Sequence, residues 1–538
     1  MTEREEARMT PTEILSKWKN KITPEWKTAF VSAFVIGLLV HLPVLVMDVP
    51  NHDGLASMYF DQNMITSGRW FLTVACGFSS YYTVPWVIGL LGLFWLACTA
   101  VAITELLEIK DKLIIILVSG LLVVFPAIAS TFAYVFTMDG YMMALFLAVL
   151  AVLLTQKSKY GFVAGAFCLA FSMGTYQAYL PFAILLSIYS ILILAMEDGK
   201  IKEKVKRGLN YLYMGVLGVA LYYLILQVLL KVQGKELASY QGISGMNAGA
   251  EGKSLVEMLL PMYTDFVSFT LKGNVLFQNV FSAAALVVLV ILTALVLLKL
   301  ICERKWWKSP FFFVIIILMA VGLPVATNII LLISPDVTYH LLMRYQWILY
   351  PILMIAFVNR YGCEMDWAHA KAGKESPKAQ KGHLKAWGVC VAATVLLFCY
   401  VLTDNIGYTN LQRRYEKTYA YCIRLLDRIE QTEGYYQGMP IAIVGVVGYV
   451  PYPETDITGD VTSGMIGISG DHLLYTGTNY EEFMKHYLGA TLNFLSAEET
   501  ADIYYSEEYI AMESFPGETS VQIIDGVLCV KTENTGRD

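Results

Sequence analysis

Residues 286–298 read Leu286-Val-Val-Leu-Val-Ile-Leu-Thr-Ala-Leu-Val-Leu-Leu298, and residues 114–124 read Ile114-Ile-Ile-Leu-Val-Ser-Gly-Leu-Leu-Val-Val124; neither run contains a charged side chain. A helix needs about 20 mostly apolar residues to cross roughly 30 Å of hydrocarbon. In lipid the backbone must satisfy its own hydrogen bonds, so such runs are expected as helices. The rest of the chain agrees with these two stretches. Of 538 residues, 56% are apolar and only 16% charged, against roughly 25% charged in a soluble domain. That excludes a water-soluble enzyme of ordinary build and implies a polytopic α-helical membrane protein.

Cutting the sequence at charged or Gly/Pro-rich breaks gives eleven expected spans: 28–47, 85–106, 113–135, 141–156, 161–174, 180–196, 210–231, 275–298, 310–333, 345–359 and 386–404. With the N-terminus in the cytoplasm, the inner pieces are the tail, 108–112, 157–160, 197–207, 299–308 and 360–385. They hold 25 of the 39 Lys/Arg residues, whereas the short outer connections hold five. This is the basic bias expected of inner loops.

The expected organisation is a cytoplasmic tail (1–27), a transmembrane part (28–404) and an extracytoplasmic α+β domain (405–538). The last segment has more than twice as many acids as bases. Leu411 to Gln431 has helical spacing, Ile441–Val447 resembles a buried strand, and Val521–Ile524, Asp525-Gly526 and Val527–Val530 predict a β-hairpin. In the tail, Ile14, Leu15, Trp18, Ile22 and Trp26 predict an amphipathic helix on the inner surface. The first apolar run lacks a small-residue cleavage site and is expected to remain as a signal anchor. The nine cysteines read as structural; a Cys422–Cys529 bridge and two unpaired thiols are the alternatives. No Cys/His spacing forms a metal motif.

The spans carry no ionisable group at mid-depth, His41 being the nearest, which argues against ion coupling or a proton relay. Charges gather at the outer ends instead: Asp48, Asp53, Asp61, Arg69, Asp139, Asp336, His340 and Arg344. The first outer loop, Asp48-Val-Pro-Asn51-His52-Asp53-Gly54, precedes an expected interfacial helix with Leu55, Met58, Tyr59, Gln62 and Ile65 on one face, ending at Ser67-Gly68-Arg69-Trp70. A carboxylate between wet and apolar surroundings suits general-base work; a solvated loop acid is the plain alternative for Asp53, Asp48 and Asp61. Asp139 is either a helix cap or a second active-site acid. In Gly174-Thr175-Tyr176-Gln177, Tyr176 and Gln177 could hydrogen-bond a sugar or belong to an interfacial aromatic belt. Arg344 could clamp a phosphate bidentately or snorkel to headgroups. Leu255–Leu271 reads as a re-entrant or interfacial segment, after a Gly-rich stretch at 242–252.

Asn51-His52-Asp53, Ser67-Gly68-Arg69-Trp70, Met138-Asp139-Gly140, Gly174-Thr175-Tyr176-Gln177, Arg344 on a late span, Ile524-Asp525-Gly526-Val527 and Val530-Lys531 together resemble the bacterial Gtr-type (type II) membrane glucosyltransferases. That family resembles the larger GT-C class, whose first outer loop carries a catalytic acid and whose donor is a polyprenyl-phosphate sugar. The resemblance implies transfer of a hexose, glucose above all, to a cell-surface glycan at the outer leaflet. Asp53 would be the base. Arg344 and Arg69 would stabilise the departing phosphate. Asp139 would position the acceptor or orient Arg69, Tyr176 and Gln177 would line the sugar pocket, and Asp48, His52 and His340 would complete the substrate site. The C-terminal segment would help hold the acceptor. His52 stands where the family often has a further acid. A divalent cation is the one cofactor the loop leaves open. The bilayer, a donor synthase and a donor flippase are the implied partners; no nucleic acid is expected. A glycan flippase and a glycan polymerase or ligase are the rival functions, with a structural assembly protein behind them.

Overall fold

The computed structural model describes residues 10–56, 62–81, 84–238, 254–273, 275–335, 337–364, 377–444, 459–468 and 473–532. Seven helices are long and apolar enough to cross a membrane: Pro24–Val46, Pro85–Leu106, Val135–Lys157, Gln177–Met196, Ile201–Gln233, Val280–Arg304 and Leu384–Glu430. An eighth is counted if the bent pair Lys112–Val124 and Pro126–Phe132 is one span. The protein is thus a multi-pass helical membrane protein; among the described residues seven or eight helices pass this length test, where eleven spans were expected. The remaining windows do hold helices, but short ones, at Gly161–Thr175, Phe312–Thr327 and Leu349–Val358. Fifteen residues at 1.5 Å each reach only about 22 Å. Gly161–Thr175 stops there because Tyr176 turns extended (φ −156°, ψ 109°).

The third expected span, 113–135, is bent by 45° between its two helices. Proline lacks the N–H that would continue the helical ladder and clashes with the preceding turn, so Pro126 leaves carbonyls of the helix before it without their usual donors. Side chains supply replacements: the Tyr345 hydroxyl donates to Leu122 O, and His41 Nε2 lies 2.8 Å from Val123 O. A carbonyl can only accept, so Nε2 carries the proton and Nδ1 accepts from the Tyr408 hydroxyl at 2.6 Å. His41 therefore closes a gap in a helix ladder.

Two sets of contacts mark the two ends of the bundle. At one end Trp26 Nε1 donates to Glu105 (2.9 Å), Lys157 pairs with Glu105, Arg360 pairs with Glu108 (3.0 Å), and Arg304 donates to Met196 O (2.7 Å). These residues lie in or beside the pieces expected to be cytoplasmic. The loops expected outside converge at the other end, as described below. In the tail, Pro11–Lys19 is helical.

The helix that carries the last expected span does not stop at 404. It runs as one helix from Pro377 to Glu430, so the boundary expected at 405 falls within it, and Asp404 at that point is fully buried. Neither Asp404 oxygen has a hydrogen-bond partner among the described residues. Beyond this helix lies a four-stranded sheet, β1 (Pro440–Val444), β2 (Asn493–Phe494), β3 (Val521–Ile524) and β4 (Val527–Lys531), in the order β2-β1-β4-β3. β3 and β4 form the expected hairpin, with Asp525 and Gly526 at positive φ. β1 pairs in parallel with both of its neighbours. The inner residues of β1 and β4 pack with Tyr421, Leu425 and Ile429 of the long helix and Phe483 of the helix Gly477–Leu488. Cys422 and Cys529 are buried free thiols.

Candidate active site

Two motifs separated by more than a hundred residues dock on one another. Residues 64–69 form a tight turn: Arg69 N–H donates to Met64 O (3.1 Å) and Gly68 adopts φ 76°, a value glycine takes without the cost a Cβ would bring. Gln62, also at positive φ (56°), ends any helix that could reach it from residue 52. The expected helix does not run unbroken to Ser67: among the described residues of this stretch His52–Ala56 and Ile65–Ser67 are helical and residues 62–64 are not, and Met58, Tyr59 and Asp61 lie outside the described residues. Against the turn packs Gly174-Thr175-Tyr176-Gln177. Phe71 N–H donates to Gly174 O (2.7 Å), and Gln177 Nε2 donates to Ser67 O (3.0 Å) and the Tyr222 hydroxyl (3.1 Å). Tyr222 in turn donates to Gly68 O (3.1 Å). Gln177 is buried and is spent on this tie. Gly174 lies so close to the Trp70 indole that a Cβ would fall 2.5 Å from it.

The docked motifs aim Arg69 at two tyrosines. Its Nη1 donates to the Tyr141 hydroxyl (3.0 Å), and its guanidinium lies 5.1 Å from the Tyr176 ring centroid. Tyr141 and Tyr176 stack at 4.2 Å. Two residues before Tyr141, Asp139 is buried, its carboxylate accepting from the Ser79 hydroxyl and from Gly140 N–H (2.9 Å). It is not the helix cap, a position held by Thr137. Through Ser79 it fixes the helix Leu72–Tyr81 that follows Trp70.

Asp53 sits on the one-turn helix His52–Ala56, with Asn51 Oδ1 accepting from Gly54 N–H (2.7 Å). Its side chain is 56% exposed and its Oδ1 lies 3.5 Å from His52 Nε2. Burial holds His52 below its ordinary value; the nearby Arg414 acts the same way and Asp53 opposes it. Asp48 turns towards the helix Gly477–Leu488, where burial raises its carboxyl against the opposing Tyr487 hydroxyl and His486. It is therefore placed beside the C-terminal segment.

Arg344 is neither an open fork nor a snorkelling side chain. Its Nη1 and Nη2 donate to Asp265 Oδ2 and Oδ1 (2.6 and 2.7 Å), its Nε donates to Tyr339 O (3.0 Å), and its plane lies 3.8 Å from the Tyr339 ring centroid. The bidentate geometry expected for a phosphate is taken up by a carboxylate from Leu255–Lys272. That helix begins with the Ser254/Glu257 capping box and is too mixed in polarity to count among the long apolar spans. Beside Arg344, burial and the guanidinium together hold His340 below its ordinary value. Asp336 lies outside the described residues. Among the described residues no group of three or more His, Cys, Asp or Glu side chains could hold a metal ion.

Ser79, Tyr141, Asp265 and Arg414 were not singled out by the sequence. Only Tyr141 had a signal, two positions after Asp139. The partners of the others lie too far along the chain for spacing to reveal them.

Fold and site together define a membrane-embedded helical protein whose polar groups converge on one end of the bundle around an acid-bearing first loop. The family described as glucosyl transferase GtrII matches residues 42–358, more than half of the chain and all of these motifs up to Arg344. The chain belongs to that family, and is a glycosyltransferase. No curated protein and no solved structure gives a match.

Proposed function

We propose that this protein transfers glucose from a polyprenyl-phosphate donor to a cell-surface glycan at the outer face of the membrane. The observation that carries the reading is an exposed first-loop acid, Asp53, together with Arg69 held on Tyr141 and Tyr176, in a member of the glucosyl transferase GtrII family. Asp53 is the general base: it takes the proton of the acceptor hydroxyl as that oxygen bonds to the anomeric carbon. The anomeric bond to phosphate breaks, and the phosphate leaves with the electron pair. Arg69 stabilises the charge developing there, an effect that is usually the largest single contribution in such sites. Tyr141 and Tyr176 hold the guanidinium in place. Asp139 and Gln177 act as positioning residues, through Ser79 and through Ser67 respectively. Arg344 contributes to the phosphate site only if the donor displaces Asp265 from it.

The basic bias of the Glu105/Lys157/Arg304/Arg360 end supports a cytoplasmic assignment for that end. The Asp53 end is then outside, the N-terminus cytoplasmic and the C-terminus extracytoplasmic, with eleven crossings and residues 405–538 forming the external part. Nucleotide sugars are absent outside, so a donor carried by the bilayer itself fits the position. The donor test offers the purified protein in proteoliposomes radiolabelled polyprenyl-phosphate glucose or UDP-glucose, with an isolated surface glycan as acceptor. The proposal expects label in glycan from the lipid donor alone. Transfer from UDP-glucose alone would overturn it.

A further inference from the structure

The first loop, which belongs to the family-matched region, is built into the core of the C-terminal segment, which does not. Leu55, two residues after Asp53, is 1% exposed and packs in one cluster with Leu473, Leu474, Phe483 and Met484. Asn479 ties the two pieces together: its Nδ2 donates to His52 O (3.3 Å) while its Oδ1 accepts from Tyr475 N–H (3.1 Å). One side chain therefore fixes both the backbone before Asp53 and the backbone of Tyr475. The Tyr475 ring packs edge-on against His52 at 5.1 Å, the same imidazole whose Nε2 lies 3.5 Å from Asp53. Tyr475 is nevertheless 44% exposed. An aromatic ring, a carboxylate and an imidazole thus share one solvent-facing corner, held from behind by a hydrophobic core.

We infer that Tyr475 and His52 form a pyranoside subsite beside Asp53, contributed in part by the C-terminal segment, in which the acceptor sugar lies against the exposed Tyr475 ring. The chemistry is specific to that ligand class. A pyranose offers a face of C–H groups that packs on an aromatic ring, and an edge of hydroxyls that a carboxylate and an imidazole can bond. An apolar ligand at this corner would cover the exposed Asp53 carboxylate without giving it a hydrogen-bond partner, which a carboxylate taken out of water tolerates poorly. Stacked on Tyr475, a sugar would present a hydroxyl towards Asp53, as proton removal requires. The inference deepens the proposed glycosyl transfer and rests on it for the identity of the sugar as acceptor. Binding of a pyranoside at this corner is testable without catalysis.

The experiment is saturation-transfer NMR on the full-length protein in nanodiscs, with methyl glycosides of gluco, galacto and manno configuration as probes. The variants are Tyr475→Ala, Tyr475→Phe, Asn479→Asp and Asp53→Asn. At least one probe should show saturation of its ring protons with the parent protein. Affinity should fall about five- to tenfold in Tyr475→Ala, a loss in line with one aromatic contact, and return in Tyr475→Phe. Asn479→Asp keeps the acceptor for Tyr475 N–H but loses the donor to His52 O, so it should weaken the probe less than Tyr475→Ala does. Unchanged elution and melting of Tyr475→Ala would show that the fold is intact. Equal affinity in Tyr475→Ala and the parent, or no signal from any probe, would overturn the inference. Asp53→Asn separates the two readings: if it binds the probe and still transfers glucose, the base assignment fails while the subsite stands.

Discussion

Removing the Asp265 carboxylate should loosen the hold of the bundle on the helix Leu255–Lys272, because Arg344 would be left as a buried charge without its counterion. Arg344 is 4% exposed and Asp265 22%, and the two bonds between them measure 2.6 and 2.7 Å. Breaking such a pair from one side costs about 3–5 kcal/mol. The partial exposure of Asp265 puts Asp265→Ala near the lower end, about 3 kcal/mol. At about 1.4 kcal/mol per decade, opening of the helix becomes roughly a hundredfold more frequent. It would not detach outright: the Tyr263 hydroxyl donates to Val321 O (2.6 Å), Asn328 Nδ2 donates to Met262 O (2.9 Å), and Phe269 packs on Trp347 at 4.3 Å. Hydrogen exchange reads this directly, since amides that exchange by local opening report its free energy. Amides of 258–272 should lose about two decades of protection, while those of Pro85–Leu106 stay unchanged. The double variant Asp265→Leu/Arg344→Met removes both charges and should recover most of that protection, as apolar replacement of buried pairs commonly does. Protection within threefold of the parent in Asp265→Ala, or no recovery in the double variant, would refute the argument.

Two further outcomes follow from the same geometry. Gly174→Ala places a methyl 2.5 Å from the Trp70 indole; the overpacking should cost about 1–3 kcal/mol and move Arg69, lowering transfer more than donor binding. The conservative test is Ala170→Gly on the same helix, which should leave transfer near the parent level. His52 is held below its ordinary value in the fold, so the neutral form is favoured there. Its contribution to stability is complete above about pH 6.5 and is lost as pH falls through the lowered value. The protection factors at 52–56, taken relative to the intrinsic exchange rate at each pH, should therefore fall on acidification below pH 6.5, and His52→Phe should flatten that dependence.

The helices were legible because an unbroken apolar run in this composition has few other fates, and the hairpin because Asp525-Gly526 has one favoured turn. Span count was less legible. Apolar length in sequence does not show where a helix stops in space, as at Tyr176, or where it continues past an acid, as at Asp404. Pro126 was a visible cue to a bend, although the repair of that bend by His41 and Tyr345 was not, since Tyr345 lies more than two hundred residues away. In the site, Ser67–Trp70 and Gly174–Gln177 were recognised as separate motifs, and only the structure shows them docked. Arg344 was read for its charge at an outer edge, while Asp265, in a segment read for its apolar residues, decides what that charge does. Leu55 was placed on an interfacial face by its spacing, yet its burial comes from residues 473–484, which no periodicity near residue 55 encodes.

The most direct test of the central claim measures glucose transfer by Asp53→Asn. Asn keeps the shape of the side chain and removes its capacity to take a proton, so it isolates the role assigned to Asp53. With saturating polyprenyl-phosphate glucose and isolated surface glycan, the account predicts that turnover falls by about 10² to 10⁴, the range of general-base contributions, while the parent affinity for the lipid donor is retained. Turnover by Asp53→Asn equal to that of the parent would contradict it.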